Sequence, residues 1–198
     1  MPVFDGKRLA ETANVVLVTI NHRNSTLGWL AHPDFEDPDT GASANWGLQD
    51  QIQALQWVHD NIEAFGGDPG RVTLAGQSGG AINSVMIVQN PRNRHLVHRL
   101  ILMSPPYIAP PGFATQADAA TITEELARSL QTSVVGLRDI PAEDLEKAEI
   151  AQWRSGRVKV PTGLFYRGPV ADGKTLMDWP SALDLPPLPV IFGYTRNE

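Results

Sequence analysis

An α/β fold, with a mostly parallel sheet flanked by helices, is what this sequence predicts, and three stretches predict it. Residues 14–21 (NVVLVTIN) are a continuous run rich in β-branched side chains, the pattern of a parallel strand covered on both faces. Within residues 46–65, Leu48, Ile52, Leu55, Val58, Ile62 and Phe65 recur at steps of three and four, which is one apolar face of a long helix. Residues 72–75 then form a second short apolar run. Strand, long helix and strand in that order make a crossover unit, and a crossover of that length joins parallel strands.

The remaining elements follow from local signals. Residues 7–11 predict a short helical turn. His22-Arg23-Asn24-Ser25 turns the chain after the first strand, and Leu27-Gly28-Trp29-Leu30 packs behind it. Residues 31–45 are polar and proline-bearing, hence a loop. Asn45 or Ser43 can cap the long helix, and Gly66-Gly67 ends it. Asp68-Pro69-Gly70 turns into the second strand, and the apolar residues 81–88 form a buried helix after it. Residues 91–95 (PRNRH) are a polar loop. Residues 99–104 (RLILMS) are the third strand, stopped by Pro105-Pro106. Ile122, Leu126 and Leu130 share one side of a helix over residues 116–131. Pro141 opens another helix, with Glu143 and Asp144 in its acidic first turn. Residues 153–187 read as irregular, with a turn at Asp172-Gly173. Residues 188–195 are a fourth strand.

Composition excludes several classes. With 198 residues the chain can bury a real core. Its formal charge of −6 leaves no basic stripe to neutralise phosphates, so nucleic acid is not an expected partner. No apolar run reaches the length of a membrane span. The chain has no cysteine, which removes disulfides and thiolate-ligated metal, and no cofactor motif is present. Together with a start that does not resemble a signal peptide, this favours a cytoplasmic setting without fixing the compartment. The pattern is silent on oligomeric state.

The stretch that carries chemistry is Gly76-Gln77-Ser78-Gly79-Gly80, set between the second strand and the apolar helix. Gly-X-Ser-X-Gly in that context is a nucleophile elbow, in which a strained strand-to-helix turn lifts the serine hydroxyl over the sheet edge. Gly76 and Gly80 are expected to flank Ser78 because a Cβ at either would collide with the neighbouring strand or helix. The helix N-terminus that follows favours developing negative charge.

Several blocks resemble the type-B carboxylesterase and cholinesterase family of α/β-hydrolases. Residues 16–23 (VLVTINHR) are similar to the family's VVTxNYR strand, with His22 in place of the usual tyrosine. Asn45-Trp46-Gly47-Leu48-Gln49-Asp50-Gln51, then Trp57-Val58, Asn61-Ile62 and Phe65-Gly66-Gly67-Asp68-Pro69, resemble the block N-x-G-L-x-D-Q, W-V-x-x-N-I, F-G-G-D-P. The elbow GQSGG departs from the commoner GESAG at two positions. Gly193-Tyr194-Thr195-Arg196-Asn197-Glu198 resembles the segment G-x-x-x-D-E, whose glutamate is the triad acid.

That resemblance implies a partial α/β-hydrolase domain over residues 1–198, missing the N-terminal and C-terminal portions of the full domain. It implies hydrolysis of a small-molecule carboxylic ester through a Ser-Glu-His triad and an acyl-enzyme. Ser78 would be the nucleophile, Glu198 the acid that orients the histidine, and the Gly79 N–H an oxyanion donor. Ser104 matches a buried family serine near the acid; its plainer reading is an ordinary strand-end hydroxyl. The family's HGG oxyanion loop would lie upstream of residue 1 and the catalytic histidine downstream of residue 198, leaving this chain inactive alone. His22, His32, His59, His95 and His98 each read as surface or packing residues, and Asp172 as a turn residue. The competing function is a catalytically dead hydrolase-fold binding or adhesion module, which would need neither Ser78 nor Glu198. The family's sheet order further implies that strands 72–75, 100–103 and 189–192 form a contiguous parallel set. Residues 15–20 should form a strand parallel to these but not paired directly with residues 72–75.

Overall fold

The computed structural model describes residues 6–105, 114–156, 168–178 and 185–197. By contact density the chain divides into two compact units. The first comprises Met1–His22, Asp50–Pro105 and Pro186–Glu198, the second Arg23–Gln49 and Pro106–Leu185.

The first unit holds the sheet. Strands β1 (Thr73–Gln77), β2 (Arg99–Met103) and β3 (Val190–Gly193) pair in that order, all parallel. Gly76 is level with Leu102, and Leu102 with Phe192. Helix α4 (Gly79–Gln89) returns the chain from the carboxyl end of β1 to the amino end of β2 and packs against both strands. Its sequence is apolar nearly all round, and Ala81, Ile82, Met86, Ile87 and Val88 are all buried, as expected of a helix covered on most sides. Leu100 and Leu102 are buried in β2. The contiguous set expected from the family's sheet order is therefore present.

Residues 15–20 differ from their expectation. They form no strand ladder among the described residues, and Val15, Val16, Leu17, Val18 and Ile20 are each 40–45% exposed. A β-branched run supplies the shape of a strand, but its burial depends on a paired neighbour and on covering layers that residue pattern cannot create. The absence of direct pairing with β1 agrees with the expected order. Helix α1 (Lys7–Ala13) precedes this stretch and ends at Asn14, whose φ is 50°.

Helix α3 (Trp46–Asn61) buries Leu48, Leu55 and Val58, and a 3-10 turn over Ile62–Phe65 follows, closed by Gly66 at φ 80°. The tighter 3-10 winding breaks the 3.6-residue period. Phe65 consequently leaves the apolar face and is 61% exposed, with its ring 5.8 Å from that of Trp57.

The second unit is helical. Leu30, Phe35, Leu126, Ala127, Leu137 and Leu145 form its core, contributed in part by α5 (Gln116–Ser129) and α6 (Ala142–Ser155). Thr115 and Asp118 form a reciprocal capping box at the start of α5. Helix α6 runs to Ser155, two residues into the stretch expected to be irregular, and ends on Gly156 at φ 60°. The Glu149 carboxylate accepts the Thr26 amide at 3.1 Å and the hydroxyls of Ser25 and Thr26, which ties α6 to α2 (Ser25–Trp29).

The Asn45 side chain, one of two expected caps for α3, pairs with the Val170 backbone. Its Nδ2 donates to the Val170 carbonyl at 2.7 Å and its Oδ1 accepts the Val170 N–H at 2.8 Å. The helix start is met instead by the Asn45 carbonyl, which accepts from the N–H groups of Leu48 and Gln49. Asn45 is buried at φ 62°, a conformation asparagine tolerates better than most residues.

Candidate active site

The carboxyl ends of the three strands bring the sequence-predicted residues to one edge of the sheet. Gln77, Met103 and Gly193 are level in the ladder, so Ser78, Ser104 and Tyr194 are the next positions on adjacent strands. Two further backbone bonds extend the ladder past the strands. The Ser78 N–H donates to the Met103 carbonyl at 2.9 Å, and the Ser104 N–H to the Gly193 carbonyl at 2.8 Å.

Ser78 occupies the one-residue junction between β1 and α4, with φ 52° and ψ −120°. A non-glycine residue there lies outside the common allowed regions, at a cost of order 1–3 kcal/mol. The surroundings over-determine it. Its N–H is held by Met103, and its carbonyl accepts the N–H groups of Ala81 (2.9 Å) and Ile82 (3.2 Å), closing the first turn of α4. The residue is exposed, and no side-chain cap bond engages its hydroxyl. Gly79, also exposed, opens α4, so its N–H is among those that no helical carbonyl can reach.

The glycines around Ser78 divide the work differently from the expectation. A Cβ on Gly76 would lie 2.3 Å from the Gly80 carbonyl oxygen, 2.4 Å from its carbon and 2.6 Å from the Ala81 nitrogen, all backbone atoms. A Cβ on Gly80 would meet nothing within 4 Å. The close approach is thus between the Cα of Gly76 and the helix backbone at residue 80. Only Gly76 is sterically required, and the reading of Gly80 as a second collision point is corrected.

Ser104 has φ 46° and is half-buried directly after β2. Tyr194 is a member of this edge that sequence reading passed over as strand. Its hydroxyl donates to the Pro105 carbonyl at 2.9 Å, and its ring meets Phe192 edge-on at 5.0 Å. The available signal was a tyrosine just beyond a strand, whose hydroxyl seeks a partner when partly covered. Glu198 lies outside the described residues, four positions beyond Tyr194.

His98, His95, His59 and His32 are placed elsewhere. The His98 N–H donates to the Val72 carbonyl, and its Nδ1 accepts the Val72 N–H at 3.3 Å, at the amino ends of β1 and β2. Five-residue strands at about 3.3 Å per residue separate that end from Ser78 by roughly 16 Å. His95 lies in the 3-10 turn Pro91–Leu96 that leads to the same end, and His59 touches His95. In the second unit His32 accepts the Asp34 N–H at 3.0 Å and faces Glu124 at 3.5 Å. Asp172 Oδ1 accepts the N–H groups of Lys174, Thr175 and Leu176 at 3.0, 2.9 and 2.9 Å, which is turn chemistry. Among the described residues no three His, Cys, Asp or Glu side chains are grouped to hold a metal ion, and no helix is long and apolar enough to cross a membrane.

A parallel sheet with a strained serine between strand and helix at its carboxyl edge defines an α/β-hydrolase fold. The chain belongs to the carboxylesterase family, whose description matches residues 1–198. It is 37% identical over 179 residues to a fumonisin B1 esterase of Sphingopyxis macrogoltabida, spanning 89% of this chain and 31% of that protein. It is 38% identical over 191 residues to thyroglobulin of Bos taurus, spanning 91% of this chain and 6% of that protein. The solved structure of a Geobacillus stearothermophilus carboxylesterase superposes with a TM-score of 0.80 at 31% identity, covering 98% of this chain and 41% of that one. The chain thus spans less than half the length of each of these relatives.

Proposed function

We propose that residues 1–198 carry the nucleophile of a serine hydrolase acting on carboxylic esters. The observation that supports this reading is the Ser78 backbone, held at φ 52° and ψ −120° with its side chain exposed at the sheet's carboxyl edge. A binding module gains nothing from that strain, whereas a nucleophile gains access and alignment.

In this mechanism Ser78 Oγ attacks the ester carbonyl carbon while a histidine accepts its proton. The carbonyl oxygen becomes an oxyanion, which the Gly79 N–H stabilises from the start of α4. Collapse of the tetrahedral intermediate expels the alcohol, which takes the proton from the imidazolium. The resulting acyl-serine is then hydrolysed by water activated by the same base. Glu198 orients that histidine and stabilises its charged form. The Ser104 backbone N–H bonds the Gly193 carbonyl, five residues before that acid in sequence. The base is a histidine these 198 residues do not supply, and they contain no His-Gly-Gly.

The test is a chimera in which residues 1–198 replace the equivalent segment of the Geobacillus carboxylesterase. It should hydrolyse short-chain nitrophenyl esters and label with a fluorophosphonate at Ser78. Ser78→Ala should abolish labelling and lower kcat by at least about 10³-fold, and Glu198→Gln by about 10³–10⁴-fold. A folded chimera whose turnover survives Ser78→Ala refutes the assignment. A folded chimera inert to both substrate and probe favours the binding-module reading.

A further inference from the structure

At the opposite end of the sheet from Ser78, two imidazoles from different elements converge. His59, on the last turn of α3, and His95, in the turn Pro91–Leu96, have ring centroids 5.6 Å apart and planes inclined at 79°. Two imidazoles sharing one ion at nitrogen–metal distances of about 2.0–2.1 Å, with a tetrahedral angle between them, have centroids about 5 Å apart. Each ring remains free to turn about its own metal–nitrogen axis, so the inclination of the planes is no obstacle.

The surroundings of His59 strengthen the case. The Asp60 carboxylate lies 3.0 Å from His59 Nδ1 and also accepts from Gln56 Nε2 at 2.9 Å. With the Asp60 carboxylate set against Nδ1, Nε2 is the ring nitrogen of His59 left to bind an ion. A carboxylate behind one ring nitrogen, fixing the tautomer so that the other can bind metal, is the usual outer partner of a histidine ligand. The His59 side chain is 41% exposed, and His95 is exposed as well, so an ion has an entry path.

We propose that His59 and His95 form a two-imidazole site for a divalent transition-metal ion of the zinc, nickel or copper class. Imidazole nitrogen selects these ions over magnesium or calcium. Asp60 acts behind His59 rather than on the metal, and water fills the remaining positions, in keeping with the absence of a three-donor group among the described residues. A bound ion would tie the end of α3 to the turn that feeds β2, far from Ser78. It would stabilise the folded chain by mass action and take no part in ester chemistry.

The experiment is calorimetric titration of the intact, tag-free chain with zinc chloride, and separately nickel chloride, as the only added ligand. One ion per chain is expected. His59→Ala and His95→Ala should each weaken binding about tenfold or more by removing one arm of the chelate. Asp60→Asn should weaken it by about 10–100-fold. His32→Ala and His98→Ala should leave it unchanged. Nitrogen-15 spectra of the parent chain should show zinc shifting the imidazole signals of His59 and His95 together. No binding, an affinity unchanged by either His59→Ala or His95→Ala in a variant with native circular dichroism, or shifts at other histidines would overturn the proposal.

Discussion

Gly76→Ala should be the most damaging single-methyl change at the elbow. Its added Cβ would sit 2.3 Å from the Gly80 oxygen, with two more backbone atoms inside 2.7 Å. Ordinary contact begins near 3.4 Å, so the first turn of α4 would have to retreat by about 1 Å. No flexible side chain is available to yield, because all three neighbours are backbone. Overpacking a well-filled site costs about 1–3 kcal/mol, and a purely backbone clash belongs at the top of that range. The control is built into the same turn. Gly80→Ala meets nothing within 4 Å and replaces a helical glycine, which should stabilise by about 0.5–1 kcal/mol. Urea titration followed by circular dichroism separates the two. With a slope of about 2 kcal/mol/M, Gly76→Ala should lower the midpoint by about 1–1.5 M, and Gly80→Ala should raise it slightly. Equal effects from the two substitutions, or a Gly76→Ala midpoint within about 0.2 M of the parent, would refute the steric account of the elbow.

Three other outcomes follow from the same geometry. Ser78→Gly should be more stable than Ser78→Ala by about 1–2 kcal/mol in urea, because only glycine relaxes at φ 52° and ψ −120°; equal stabilities would mean that the junction is unstrained. Asn45→Ala strands the N–H and the carbonyl of Val170 and should cost about 2–4 kcal/mol by the same titration, well above a typical exposed asparagine. The folded-state carboxyl of Asp60 is held below its ordinary value, chiefly by the His59 hydrogen bond. Its contribution is therefore present above the unfolded-state value and lost as pH falls through the folded one. The stability difference between the parent and Asp60→Asn should be level from pH 5 to 6 and shrink below about pH 4, read from urea midpoints across pH; a difference that grows on acidification would reverse the sign of the linkage.

Residue pattern alone determined the local elements and the elbow. The 3.6-residue spacing of Leu48, Leu55 and Val58 specified α3 because a helix face repeats with that period wherever it packs. Gly-X-Ser-X-Gly between an apolar run and an apolar helix specified the strained junction at Ser78, since few other residue sets can make so tight a turn. The order β1-β2-β3 came with the family resemblance, not with periodicity. Other features required partners distant in sequence. Asn45 was legible as a helix cap, yet its amide pairs with Val170, 125 residues away, because a buried backbone group outcompetes a helix end that has another acceptor. The run at residues 15–20 had the composition of a buried strand, but it stands exposed and outside the ladder. Strand pairing is a property of two segments, and β-propensity reports only one of them. Gly76 and Gly80 read alike in sequence, and only the approach of the helix backbone to one Cα distinguished them. His59 and His95 are 36 positions apart on a polar helix end and a polar turn. Nothing in either stretch anticipates the other, and the return of α4 to the amino end of the sheet is what brings the two rings together.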